Sequence, residues 1–312
     1  GGEETGGEET GGEETGGEET GGEEGGEESG GEESGGDETG GDDGDAACVP
    51  DESAVVDVEG YFYDSHIDGF DDESAVSNTG QIMRQLLITE LKGYIGELKD
   101  IADAGGVEEG DIVEGLNYYF EFDSADADDG FYHAPALALQ TSWGDISTKN
   151  LKGKIAGNDP ATDHRVWTGA DSEFYGWDAD GVNSPEDLVR HWFDELEDQV
   201  LAYQEAAAGD PILDHPPFLT TDGVDRQQLI QKFLTGAVTF SQGADDYLSN
   251  DVDGKGLLAS EDCATEEDGS CKKYTGLGHA WDEGFGYFGG ARNYGFLTPA
   301  EIKANENDAN GD

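Results

Sequence analysis

The sequence predicts a mainly α-helical, bundle-like domain with long irregular loops, carried behind a disordered Gly/Glu repeat tether. Three observations lead there. Residues 1–39 repeat Gly-Gly-Glu-Glu-Thr or a close variant every five residues and offer no apolar side chain to a core. Further along, apolar positions recur at steps of three and four, the spacing of one helix face, whereas two-residue alternation is weak throughout. All five tryptophans lie beyond residue 140, so the apolar surface needed for a core is concentrated in residues 51–312. The expected organisation is therefore a linker over 1–50 and a helical domain over 51–312.

Paired glycines lose much conformational entropy on ordering and neighbouring carboxylates repel, so the repeat reads as an extended, mobile spacer. After an irregular acidic stretch, Met83, Leu87, Leu91, Tyr94, Leu98 and Ile101 mark the first amphipathic helix. A shorter helix is expected at about 107–121, followed by an irregular section to residue 183. Ser184-Pro185-Glu186-Asp187 is a helix start, with Ser184 as N-cap and Pro185 in the first helical position. Leu188, Trp192, Leu196, Val200 and Tyr203 form its buried stripe. Ile230, Phe233, Ala237, Phe240, Ala244 and Tyr247 predict a third long helix.

The formal net charge is −59. Residues 1–45 hold 19 of the 74 acids and no base, leaving 55 acids against 15 bases, or −40, on the remainder. Phosphate backbones and anionic headgroups are repelled by such a field, so nucleic acid is not an expected partner. The acids suit either a solvated surface in salty surroundings or a supply of oxygen ligands for hard cations.

Cys263 and Cys271 flank a short polar loop that can bring two sulfurs within bonding distance, so a disulfide is expected there, and with it an oxidising compartment. Cys48 is the odd thiol.

The most distinctive segment runs from Tyr274 to Gly295. As a helix it places His279, Glu283, Gly286 and Gly290 on one face with Asp282 beside them. A histidine and a carboxylate one turn apart can grip a cation, and glycines below them let another helix approach. His279, Asp282 and Glu283 are therefore the candidate metal ligands, for iron or another divalent or trivalent ion. A histidine held by a carboxylate purely as a packing device is the alternative. The Gly-x-Gly-x-x-Gly at Gly284, Gly286 and Gly289 is no dinucleotide fingerprint, because no strand precedes it and its surroundings are acidic.

Several segments in fixed order resemble a known family: Ser77-Asn78-Thr79-Gly80-Gln81-Ile82-Met83-Arg84, Lys154-Ile155-Ala156-Gly157-Asn158-Asp159, Gln228 to Val238, and His279-Ala280-Trp281-Asp282-Glu283-Gly284-Phe285-Gly286-Tyr287-Phe288-Gly289. They are similar to an uncharacterised family of bacterial lipoproteins, a domain of unknown function sometimes described as imelysin-like. The resemblance implies a helical, exported, membrane-tethered protein with a link to iron uptake by analogy, and a domain that continues past residue 300. The family commonly has a second histidine where Ala280 stands and a glutamate where Gly278 stands, and the Gly-x-His-x-x-Glu signature of imelysins is not matched, since Leu277 precedes His279 by two.

A lipid anchor on a cysteine preceding Gly1 would tether such a chain to the outer membrane or cell surface of a bacterium, or hold it facing the periplasm. Gln81 and Arg84 are candidates for supporting the metal ligands or holding an anion. Asp308, Asn310 and Asp312 occupy the first, third and fifth places of a calcium loop and bind calcium only if the chain continues. Asp251-Val252-Asp253-Gly254-Lys255-Gly256 reads as a polar turn. The expected function is metal binding by a tethered extracytoplasmic domain. The alternatives are a structural or adhesive module contacting a protein or glycan through Trp143, Trp167, Tyr175 and Trp177, and, third, a hydrolase using Asp282 and Glu283. Neighbouring helix positions point about 100° apart, which makes that pair awkward for flanking one bond.

Overall fold

The computed structural model describes residues 60–61, 63–71, 73–124, 142–158, 166–167, 174, 181–290 and 298–300. The expected tether, Cys48, Trp177, Tyr175 and the calcium-loop residues Asp308, Asn310 and Asp312 lie outside these residues. The chain divides into two compact units, residues 1–57 with 266–270, and residues 58–265 with 271–312. Within the first, Glu266–Ser270 forms a turn in which the Glu266 N–H donates to the Ser270 carbonyl at 2.8 Å.

The second unit is mainly helical. Five α-helices follow one another: α1 (Thr79–Ala104), α2 (Asp111–Phe120), α3 (Pro185–Glu205), α4 (Arg226–Leu234) and α5 (Gly276–Phe288). A π-helix (Thr235–Tyr247) continues α4. Strands β1 (Cys263–Thr265) and β2 (Cys271–Thr275) pair antiparallel just before α5. This hairpin, which weak alternation in the sequence does not announce, is joined by a disulfide between Cys263 and Cys271, whose Cα atoms are 5.5 Å apart.

The core lies around α1, which packs against α2, α3, α4 and α5. Its buried stripe is Met83, Leu87, Leu91, Ile95, Leu98 and Ala102. Tyr94 and Ile101, which the sequence places in that stripe, flank it and are half-buried against the same core. From α2 come Ile112, Leu116 and Phe120, and from α3 Leu188, Val189, Trp192, Phe193, Leu196 and Val200. Trp143, a candidate binding aromatic only in the adhesive alternative, is 1 % exposed and packs on Phe122, with ring centroids 5.7 Å apart. It is core, because indole burial there removes a large apolar area from water. Trp167 covers Gly157 and meets Phe174 edge to face.

Helix starts follow short polar side chains. Ser184 Oγ accepts from the Asp187 N–H at 3.1 Å, Asp225 Oδ1 from the Gln228 N–H at 3.0 Å, and Thr275 Oγ1 from the Gly278 N–H at 2.9 Å. Helix α2 is capped from a distance. Glu197 Oε2, on α3, accepts from the N–H groups of Gly110, Ile112 and Val113 at 2.9, 3.1 and 3.2 Å. At the other end of α2, Arg190 on α3 bridges Glu186 and Glu121.

The expected third helix departs from the sequence reading in the middle. Its first part is α-helical with Ile230 and Leu234 buried, but from Thr235 the turn widens to i→i+5 bonding. The buried face becomes Val238, Thr239, Gln242 and Gly243, while Phe240, placed in the stripe by α-helical counting, is 71 % exposed. Among the described residues no helix is long and apolar enough to cross a membrane.

Candidate functional site

The site is built where α5 packs against the π-helix and the start of α1. Glycine makes the approach possible. A Cβ at Gly286 would stand 2.8 Å from the Cβ atoms of both Asn78 and Gln81, and one at Gly284 would stand 2.7 Å from Leu248. Helix α5 ends at Gly289, whose φ of +69° permits its N–H to reach the carbonyls of Phe285 and Gly286 at 3.2 Å. Gly290, expected on the same helical face, therefore lies beyond the helix.

Along α5, His279 Nε2 is 3.4 Å from Glu283 Oε1, the separation of residues one turn apart. The two side chains are 30 % and 16 % exposed, so the pair is neither dry nor fully solvated. Tyr274, at the end of β2, stacks on the imidazole with centroids 4.4 Å apart and planes within 16° of parallel. His279 Nδ1 is buried without a hydrogen-bond partner among the described residues.

On the other side of Glu283 lies Tyr247, the last residue of the π-helix. Burial first, then the charge of Glu283, makes its hydroxyl far less acidic than an ordinary phenol. The Tyr247 ring stacks on Tyr287, 5.7 Å between centroids, and the Arg84 guanidinium sits over the Tyr287 ring at 6.0 Å. Arg84 is buried, with Nε donating to the Asn150 carbonyl at 2.8 Å and Nη1 donating weakly to Gly80. Gln81 is buried against Gly286. Contacts thus run from Arg84 through Tyr287 to Tyr247, and separately from Glu283 through His279 to Tyr274.

Asp282 has other partners. It is buried, and its Oδ1 accepts from the Tyr61 hydroxyl at 2.6 Å. Burial raises its carboxyl above the ordinary aspartate value, with the hydrogen bonds from Tyr61 and the Ser77 backbone opposing that shift. Tyr61 stacks face to face on Phe285 at 3.8 Å and meets Tyr63 edge-on. The two carboxylates and the imidazole expected to act together are thereby divided: His279 and Glu283 meet, and Asp282 and Glu283 engage different neighbours. Among the described residues no group of three or more His, Cys, Asp or Glu side chains is close enough to share a metal ion.

The residues that sequence reasoning misses are the tyrosines. Tyr247 is visible there only as one more apolar position of a helix stripe, and Tyr61 lies more than 200 residues from its partner. Tyr274, five positions before His279, and Tyr287 belong to the distinctive segment.

A family described as "Domain of unknown function (DUF4856)" matches residues 185–303, which contain α3, α4, the π-helix, the hairpin and α5. No curated protein and no solved structure matches the chain.

Proposed function

We propose that this chain is an extracytoplasmic, membrane-tethered domain that binds a metal ion, or a metal held in a small complex, through His279 and Glu283. One observation carries the reading: imidazole nitrogen and carboxylate oxygen lie 3.4 Å apart on one face of α5, at a site still open to solvent. An imidazole and a carboxylate suit first-row transition ions better than calcium. The remaining coordination positions would belong to water or to the partner molecule that carries the metal.

Two further features support it. His279 Nδ1 on α5 and Gln242 Oε1 on the π-helix are both buried without hydrogen-bond partners among the described residues, and buried polar atoms in that condition commonly meet a bound water or ion. The Cys263–Cys271 disulfide is the covalent chemistry of an oxidising compartment. Asp282 would set the electrostatics beside the pair, and Gln81 and Arg84 would hold the packing of α5 and the Tyr287 ring. The imelysin-like resemblance makes iron the first ion to test.

Calorimetric titration of the purified chain with ferric, ferrous, zinc and calcium ions tests the proposal. Heats lost in His279→Ala support it, and heats unchanged by that substitution remove it. The tether is tested separately: mass spectrometry of the native N-terminus is expected to show diacylglycerol, and an unmodified terminus counts against the anchor.

An adhesive module is a second reading, supported by a different surface from the one expected. Trp281 and Tyr63 are 53 % and 52 % exposed, on α5 and on the Tyr61–Phe285 stack respectively. Glycan binding lost in Trp281→Ala would favour it.

A further inference from the structure

We infer that Arg84 and Lys149 form a site for a small oxyanion, a phosphate or a carboxylate, at the start of α1. The site is separate from the His279–Glu283 pair and does not depend on that pair holding a metal.

Arg84 is 5 % exposed, yet it makes no ion pair with a carboxylate among the described residues. Its hydrogen bonds go to backbone oxygens, from Nε to Asn150 at 2.8 Å and from Nη1 to Gly80 at 3.4 Å, which leaves Nη2 without an acceptor there. The Tyr287 ring, 6.0 Å from the guanidinium carbon, offers only the partial negative charge of an aromatic face. Withdrawing a guanidinium from water is costly unless an opposite charge compensates it. Acids are not scarce in this chain, which carries 74 of them against 15 bases. The other two described arginines both have theirs: Arg190 bridges Glu121 and Glu186, and Arg226 lies 2.6 Å from Glu195. The missing counter-charge at Arg84 is therefore one that a ligand would bring.

Lys149 supplies a second cation. A Cβ at Gly80 would stand 3.1 Å from Lys149 Cγ and 3.5 Å from Arg84 Nη1, so the two side chains flank this glycine and its missing methyl leaves a notch between them. Lys149 is exposed and makes no ion pair among the described residues, whereas Lys152, three residues on, is turned to Glu121 at 3.6 Å. Helix α1 adds the same sign, because it begins at Thr79 with no acidic residue in its first turn and no side-chain cap. Asp282 reaches this end of the helix from the α5 side, where the Tyr61 hydroxyl and the Ser77 backbone hold it. Gln81, expected beside Arg84 as an anion holder, is buried against Gly286, and Lys149 takes that place.

The net charge of −59 does not forbid an anion here. The Debye length is about 8 Å at physiological ionic strength, so distant carboxylates are screened and groups in contact decide. A guanidinium directs N–H donors at oxygens of one oxyanion, and an ammonium beside it neutralises the remaining charge. That geometry favours a compact free oxyanion over an anionic bilayer, which would have to meet the acidic body with its whole face.

Calorimetric titration of the full chain with inorganic phosphate, at an ionic strength held constant with sodium chloride, tests the site. Acetate serves as the carboxylate arm and phosphatidylglycerol vesicles as the lipid arm. Saturable binding of phosphate or acetate is expected, weakened about tenfold or more in Lys149→Glu and in Arg84→Gln. Gly80→Ala puts a methyl in the notch and gains helix propensity, so it is expected to weaken binding without lowering the melting temperature. His279→Ala is expected to bind as the wild-type chain does. No saturable binding of either ion, or binding unchanged in Lys149→Glu, overturns the inference. Binding lost in His279→Ala also overturns it, by placing the anion on a metal and leaving the His279–Glu283 reading standing. Binding to vesicles without binding of the free ions overturns the free-oxyanion assignment. Should Arg84→Gln fail to fold, the exposed Lys149→Glu and the Gly80→Ala variants decide.

Discussion

The Tyr61 hydroxyl donates a 2.6 Å hydrogen bond to Oδ1 of Asp282, tying the segment before α1 to the middle of α5 across 221 residues of sequence. Because Asp282 is buried and its carboxyl raised, the charged form is the costly one. A group whose folded-state pKa is raised stabilises the fold fully below its unfolded value, and that contribution is lost as pH rises through the folded value. Asp282→Asn keeps an acceptor for Tyr61 and carries no charge. Thermal melts are therefore expected to shift in the variant's favour as pH is raised from about 4 to about 7. A difference that stays constant or reverses would contradict this assignment. Tyr61→Phe, which removes a bond to a buried acid, is expected to cost about 2 kcal/mol in urea unfolding at neutral pH.

Glu197 offers a larger effect away from the site. Its Oε2 accepts three backbone N–H groups at the start of α2, where Gly110 has no side chain to cap the helix. Glu197→Ala leaves those donors, including the buried Ile112 N–H, without their acceptor and is expected to destabilise by about 3 kcal/mol, with Glu197→Gln losing less because one acceptor oxygen remains. Equilibrium denaturation of the two variants checks the order.

The cap at Ser184 is worth less. Ser184→Ala removes the 3.1 Å bond from the Asp187 N–H and is expected to cost about 1 kcal/mol, measured the same way.

Two glycines separate close packing from helix propensity. Gly286→Ala adds a Cβ 2.8 Å from Asn78 and Gln81, so strain of about 1–3 kcal/mol is expected to exceed the propensity gain. Gly236→Ala meets nothing within 4 Å and is expected to be neutral or stabilising. Melting temperatures of the two variants should move in opposite directions or diverge by several degrees.

Periodicity makes the helices legible because burial imposes it: the stripe of α3 and the Ser184-Pro185 start are read directly from the chain. The histidine and glutamate of α5 are legible for the same reason, since one helical turn places them together. What stays hidden depends on other forces. The β-hairpin is short and half-exposed, so it lacks an alternating signature, and no local pattern distinguishes a π-helix from the α-helix that it continues. Consequently α-helical counting turns Phe240 inward, although it is exposed. Asp282 looks equivalent to Glu283 because its environment is set by Tyr61, a residue that only tertiary contact brings near. Trp143 shows the converse: a large aromatic in an irregular region usually anchors its loop, and burial of its ring does so here.

The central claim is that His279 and Glu283 together hold a metal. The most direct measurement is elemental analysis of the chain isolated without chelators, set beside Glu283→Gln and His279→Ala prepared identically. The account predicts stoichiometric transition metal in the wild-type chain and its loss from both variants. Equal metal content in all three, or a wild-type chain that neither carries nor takes up metal, would contradict it.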